Sequence, residues 1–277
     1  MAGTGGATTI RGRAGVAAAT LALATLAGPP AAALDLPVDL ELVLAVDVSG
    51  SMDRDEHRLQ RDGYIAAVRH PEVLAAIRAG PMGRIAVTYV EWAGPGAQVI
   101  AVPWRALEDD TSAESFAKEL EVVPIAAIRG TSISGSLTFT SGLFDGNGFE
   151  GLRRVVDVSG DGPNNSGAPV EPARDRLLED GIVINGLPIM LKRPSYGWSS
   201  ISDLDLYYED CVIGGPGSFV IPVRAPEHFA QAIRRKMILE IAGVQPPAAR
   251  VVPASLPERP KMDCLIGERM RRIWVDP

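Results

Sequence analysis

Leu40-Glu41-Leu42-Val43-Leu44-Ala45-Val46-Asp47-Val48-Ser49-Gly50-Ser51 is the stretch on which the reading of the fold turns. From Leu40 to Val46 it is apolar but for Glu41. A strand wetted on one face alternates polar with apolar, so a nearly unbroken run belongs to a strand covered on both faces of a parallel sheet. The run ends at Asp47, and a short loop of one carboxylate and two hydroxyls follows before a helical pattern begins.

Outward from this strand, Asp55 to Arg78 carries apolar residues at helical spacing, interrupted at Pro71. Two β-rich runs, Arg84 to Trp92 and Gln98 to Trp104, flank Ala-Gly-Pro-Gly and predict a hairpin. Thr111 and Ser112 offer N-caps for a helix through Leu120. Ser132 to Phe144 reads as a helix, Arg153 to Val158 as a buried strand, Pro169 to Asp180 as a helix and Ile182 to Ile189 as a strand. Val212 to Val223 is expected to add another strand, and Pro226 to Ile241 an amphipathic helix. Strands alternating with helices at this spacing predict an α/β fold: a doubly wound, mostly parallel sheet with helices on both faces and one antiparallel edge strand.

The ends read differently. Arg11 and Arg13 precede an apolar run from Ala14 to Ala27, and Gly28-Pro29-Pro30-Ala31-Ala32-Ala33 follows. A basic start, a short apolar stretch and a small-residue end are the parts of a secretory signal peptide, so residues 1–33 are expected to direct export to the periplasm or beyond. The run is shorter than the roughly 20 residues that span a bilayer, and no membrane span is expected in the mature chain. An oxidising compartment would let Cys211 and Cys264 pair, whereas a reducing one would keep them as thiols. Residues 244–277 form a Pro-rich tail, either a linker or an ordered strap. A net charge of -7 repels phosphates and anionic lipid heads, which argues against nucleic acid as a partner.

In open α/β sheets, ligands collect beyond the carboxyl ends of the strands. Three loops there stand out: Asp47-Val48-Ser49-Gly50-Ser51, Gly130-Thr131-Ser132-Ile133-Ser134, and Asp161-Gly162. Hydroxyls with one or two carboxylates suit a hard cation that keeps some waters, Mg²⁺ or Mn²⁺. Taken singly, Ser51 or Asp53 could merely cap the next helix. The three histidines, His57, His70 and His228, fall in separate helical segments and are expected at the surface or at caps. Trp92 and Trp104 end the hairpin strands, either lining a pocket or buried against a helix. A long loop from Pro194 to Asp205, with Tyr196 and Trp198, is a candidate recognition loop.

The order Asp-x-Ser-x-Ser, Thr, Asp-Gly resembles the von Willebrand factor A-type domain with its metal-ion-dependent adhesion site, and the resemblance runs from Asp39 to Gly243. It implies that Ser49 and Ser51 bind a cation directly, Thr131 directly or through water, and Asp47 and Asp161 mostly through water. The sixth position would stay open for an acidic residue of a protein partner, making the chain a binding module and not an enzyme. The stretches Arg61-Asp62-Gly63-Tyr64, Val90 to Gly94, Asp157 to Asn165 and Tyr207 to Gly217 also look like a narrower bacterial group of exported A-domain-like proteins without assigned function. Asp157 departs from the broader pattern, which has an apolar residue there. It would either orient a hydroxyl ligand or take an ordinary hydrogen bond to backbone or buried water. Asn164 and Asn165 could contact the partner or a coordinated water, or form a turn. The competing expectations are a Mg²⁺-assisted hydrolase with Asp47 or Asp157 as base, and a fold that keeps no metal-dependent partner.

Overall fold

The computed structural model describes residues 1–6, 34–125, 128–191, 200–243 and 259–275. The chain divides into Met1–Ala33 and a body, Leu34–Pro277. Residues 1–6 carry no regular secondary structure. The expected signal peptide's apolar run, Tyr196 and Trp198 of the candidate recognition loop, and most of the Pro-rich stretch lie outside the described residues.

The body runs β1 (Leu36–Val38), β2 (Glu41–Asp47), α1 (Arg54–Val68), α2 (Pro71–Arg78), β3 (Ile85–Trp92), β4 (Gln98–Leu107), α3 (Asp110–Glu121) and α4 (Ile133–Ser141). It continues with β5 (Phe149–Gly151), β6 (Arg154–Gly160), α5 (Val170–Glu179), β7 (Val183–Pro188), α6 (Leu204–Tyr207), α7 (Phe229–Ala242) and α8 (Ile266–Val275). Five strands form the central sheet in the order β4-β3-β2-β6-β7, with only the β3–β4 hairpin antiparallel. The expected α/β architecture is therefore the observed one, and β2 lies at its centre.

Alternation along β2 sets up two cores. Leu42, Leu44 and Val46 face a layer built from α1 and α7, meeting Tyr64, Val68, Phe229, Ile233 and Met237. Val43 and Ala45 face the opposite layer, with Ile133 and Leu137 of α4 and Val170 and Leu177 of α5. All seven residues of β2 are buried, as the unbroken apolar run requires. No helix among the described residues is long and apolar enough to cross a membrane.

Two local expectations fail for identifiable reasons. Val212 to Val223 is not a strand: a π-turn, Tyr208–Val212, leads into isolated bridges at Gly214, Val220 and Val223. Gly215 and Gly217 there take φ of 90° and 79°, a left-handed backbone that breaks a ladder. Helix α3 begins earlier than Thr111, because the Asp109 carboxylate accepts from the Ser112 amide in a capping box.

Asp157 finds a partner that neither expectation named. It shares its side of β6 with Val155, which faces α1 and α7, so its carboxylate meets Lys236 of α7 at 2.6 Å. Lys236 also pairs with Glu240, which accepts from Asn185 Nδ2 at 2.9 Å. Burial pushes Glu240 up to about 7, with Lys236 opposing the shift. Removing one member of a buried ion group strands the others, at a cost of roughly 3–5 kcal/mol. Lys236→Met is therefore expected to lose about that much stability in urea unfolding at pH 8. Adding Asp157→Asn and Glu240→Gln to it should recover a substantial part, and a Lys236→Met variant as stable as the parent contradicts this assignment.

Candidate metal centre

Strand β2 ends at Asp47, and the next residues are pinned to the neighbouring elements by backbone. The Val48 amide donates to the Trp92 carbonyl at 2.8 Å, the Gly50 amide to Ile128 at 2.8 Å, and the Ile128 amide to Val48 at 3.1 Å. The loop also closes on itself, since Asp47 Oδ1 accepts from the Ser49 amide at 2.7 Å. Helix α1 is capped by Asp53, which accepts from the Asp55 and Glu56 amides in a capping box with Glu56. Ser51 is thus not the cap. Its hydroxyl lies 2.8 Å from Ser49 Oγ and donates to Asp161 Oδ1 at 2.5 Å.

Thr131 arrives from the loop before α4. Gly130, at φ 89°, makes the left-handed turn that delivers it, with Ser132 capping the helix behind. Thr131 Oγ1 donates to Ser49 Oγ at 3.5 Å. Asp161 follows directly from the carboxyl end of β6. The structure therefore brings Asp47, Ser49, Ser51, Thr131 and Asp161 to one point at the carboxyl edge of the sheet. The group is rich in hydroxyls: no set of three or more His, Cys, Asp or Glu side chains able to hold a metal forms among the described residues.

Asp47 is fully buried, and its Oδ2 has no hydrogen-bond partner. The hydroxyl of Tyr208, also fully buried, is likewise unpartnered. A side chain at Gly160 would meet both groups, 2.9 Å from Asp47 Oδ2 and 3.0 Å from Tyr208 Oη, so the glycine leaves that space to them. Burial, and then the neighbouring charge of Asp161, push the Asp47 carboxyl well above its ordinary range. An oxygen-only donor set, an unsatisfied buried carboxylate oxygen and two like charges together fit a divalent cation, which would hold both carboxylates ionised.

Asn164 and Asn165 are both buried, at 0% and 2% exposure, so neither presents a surface to a partner. They brace the neighbouring loop: Asn165 Oδ1 accepts from the Thr131 amide at 3.1 Å and Asn164 Oδ1 from the Ser134 amide at 3.0 Å. His57, expected at the surface or at a cap, is neither: it is buried within α1 near Ser49, where loss of solvent lowers its pKa. His70 does cap a helix, accepting from the Glu72 amide. Trp92 is fully buried, and Trp104 is half-buried, donating to the Leu143 carbonyl and packing on Phe144 and Phe149. Cys211 and Cys264 form a disulfide that ties the C-terminal segment to the body.

Sequence reasoning missed two contributors. Tyr208 reaches the site from the π-turn after α6, a conformation that no residue pattern announces. Helix α8 abuts the Asp161–Asn165 loop, and its signal was present as Ile266, Met270 and Ile273 at helical spacing.

The raised pKa of Asp47 carries a stability consequence. Below the ordinary value of 3.8, the carboxyl is protonated whether the chain is folded or unfolded. As pH rises through that value, the unfolded chain releases a proton that the folded chain retains, so stability falls until the raised value is passed. In cation-free protein the unfolding temperature should therefore fall from pH 4 upward by an amount that Asp47→Asn reduces, as saturating Mg²⁺ also does. Parallel pH profiles for parent and variant, measured by scanning calorimetry, would contradict the assignment.

Comparison with solved structures places the fold. Proximal thread matrix protein 1 from the mussel byssus superposes with a TM-score of 0.55 at 14% identity, covering 75% of this chain and 48% of that one. A second crystal of the same protein has a zinc-occupied MIDAS motif, with a TM-score of 0.53 at 16% identity, over 75% of this chain and 47% of that one. A von Willebrand factor type A protein from Catenulispora acidiphila gives 0.51 at 16% identity, over 74% and 43% of the two chains. The vWF domain of the type V pili tip protein Mfa5 from Porphyromonas gingivalis gives 0.52 at 10% identity, over 79% and 99%. The chain thus spans about half the length of the thread matrix protein. No curated protein matches the sequence. The fold is that of the von Willebrand factor A-type domain, and with a family model matching residues 37–245 the chain belongs to DUF1194, a protein family of unknown function.

Proposed function

We propose that this protein is an exported binding module that holds one divalent cation, Mg²⁺ or Mn²⁺, and captures a protein partner through it. Asp47, Ser49, Ser51, Thr131 and Asp161 are the residues that would hold the ion. The observation that carries the reading is the convergence of three hydroxyls and the Asp161 carboxylate near a buried Asp47 whose Oδ2 has no hydrogen-bond partner. When bound, the ion supplies a Lewis-acidic position that an acidic side chain of the partner can complete. The chain's own residues orient the hydroxyls and shield Asp47 from solvent, with Ser51 the partly exposed member of the cluster.

Other observations support the same reading. The Catenulispora domain, the pilus tip domain and the zinc-occupied thread protein share the fold, and the last shows that such a fold accommodates a divalent ion at this kind of motif. A hydrolase would need a base at the cation; of the two candidates, Asp157 is committed to Lys236 in the interior, and Asp47 is itself one of the residues that would hold the ion. A cavity of about 270 Å³, lined by Arg153, Asn185, Phe219 and Glu240, lies at the amino ends of β6 and β7, away from the hydroxyl cluster. The disulfide suits an oxidising compartment, and with the basic-apolar-small pattern of residues 1–33 it supports export.

The test is isothermal titration of Mg²⁺, Mn²⁺ and Zn²⁺ into metal-stripped mature protein beside the Ser49→Ala/Ser51→Ala double variant. One-site binding that the folded double variant lacks is the expected result. Equal binding by both proteins contradicts the assignment of the ligands.

A further inference from the structure

We infer that the C-terminal segment is a working part of this site: α8, fastened by the Cys211–Cys264 disulfide, positions the Thr131–Ser134 segment, with Arg271 acting on Thr131 through Asn165 and Glu268 acting on Ser134 through Asn164. The inference rests on the cation reading for its consequence and on hydrogen bonds alone for its geometry.

The linkage can be followed atom by atom. Asn164 Nδ2 donates to Glu268 Oε1 at 2.6 Å, while its Oδ1 accepts from the Ser134 amide. Arg271 donates to the Asn165 carbonyl at 3.3 Å, while Asn165 Oδ1 accepts from the Thr131 amide. The Asn165 amide closes the ring on the Thr131 carbonyl at 2.9 Å. Each asparagine thus has one side toward α8 and the other toward the loop that carries Thr131. Contact is close enough that a methyl group at Gly267 would collide with the Asn164 carbonyl. Tyr207 joins the same seam, accepting from the Asn164 amide at 3.2 Å and donating to the Cys264 carbonyl at 3.5 Å.

A ten-residue helix is marginal on its own, so α8 needs fastening. The disulfide provides it, and so does Asp210, which accepts from Arg259 at 2.6 Å and from the Met262 amide at 2.7 Å. Glu268 is half-buried and its pKa is raised by burial, with the Asn164 amide group opposing the shift. Its role is to accept one hydrogen bond, which a neutral amide oxygen can also do. That distinguishes positioning from a charge effect, because Glu268→Gln keeps the acceptor and loses the charge.

The experiment compares parent, Glu268→Ala, Glu268→Gln and Arg271→Ala by amide hydrogen exchange in metal-free protein and by Mn²⁺ titration. Arg271 is exposed, so its variant guards against a Glu268→Ala protein that fails to fold. Glu268→Ala should speed exchange at Ser134, and Arg271→Ala at Thr131, about tenfold while β2 amides stay protected. Both should weaken Mn²⁺ binding about tenfold, the lower end of what outer partners of a metal site contribute, and Glu268→Gln should match the parent. Unchanged exchange at these two amides in both variants overturns the inference, as does a Glu268→Gln protein that behaves like Glu268→Ala. Faster exchange with unchanged Mn²⁺ affinity overturns the link from α8 to the cation. A parent that shows the exchange pattern yet binds no Mn²⁺ upholds the positioning geometry and defeats the cation reading instead.

Discussion

The arrangement depends on one unsatisfied charge. Asp47 sits at the end of the central strand with no access to water, a second carboxylate close by, and one oxygen without a partner. Burying such a group is unfavourable unless something compensates it. The neighbouring groups leave that oxygen room and supply hydroxyls beside it. Gly160 removes a side chain, Ser49 and Ser51 turn hydroxyls inward, and Tyr208 contributes a hydroxyl whose burial keeps it protonated.

The support for this point reaches well beyond the loops that form it. Below it, Gln60 of α1 donates to the Asp47 carbonyl at 3.0 Å, anchoring the end of β2 to the helix that the loop leads into. Beside it, the two asparagines after Asp161 tie the Thr131 loop to the strand-six loop and to α8. Farther along β6, Asp157 and its cationic partner fix α7 against the sheet. These layers have different chemistry for a reason. The interior group of Asp157, Lys236 and Glu240 already holds a cation among its carboxylates, whereas the edge cluster combines hydroxyls with two carboxylates, the condition under which an added cation gains most.

Much of the fold was legible in residues 40–51, because a nearly unbroken apolar run has one dominant physical reading, whereas the carboxylate and hydroxyls after it read equally as helix caps until the Thr131 and Asp161 loops were set beside them. The parallel sheet, its hairpin edge and the three converging loops follow from such local patterns. What escaped was non-local. Lys236 lies on an amphipathic helix and gives no sign that its ammonium points inward to Asp157, since that depends on which turn of α7 faces β6. Asn164 and Asn165 looked exposed because asparagines after a strand favour turns, yet here they are covered by α8. Val212 to Val223 looked like a strand from its apolar content, and glycine backbone geometry decided otherwise. The pairing of Cys211 with Cys264 was open until the chain path brought them together.

The central claim is that one divalent ion sits among Ser49, Ser51 and Thr131 with Asp47 and Asp161 around it. Anomalous diffraction at the manganese edge from crystals soaked in Mn²⁺ tests it most directly. The account predicts a single peak at hydroxyl-ligand distances from these side chains, roughly 2.0–2.6 Å for a hard cation, with at least one coordination position taken by water. No peak there in saturating Mn²⁺, or a peak only at another place on the molecule, would contradict it.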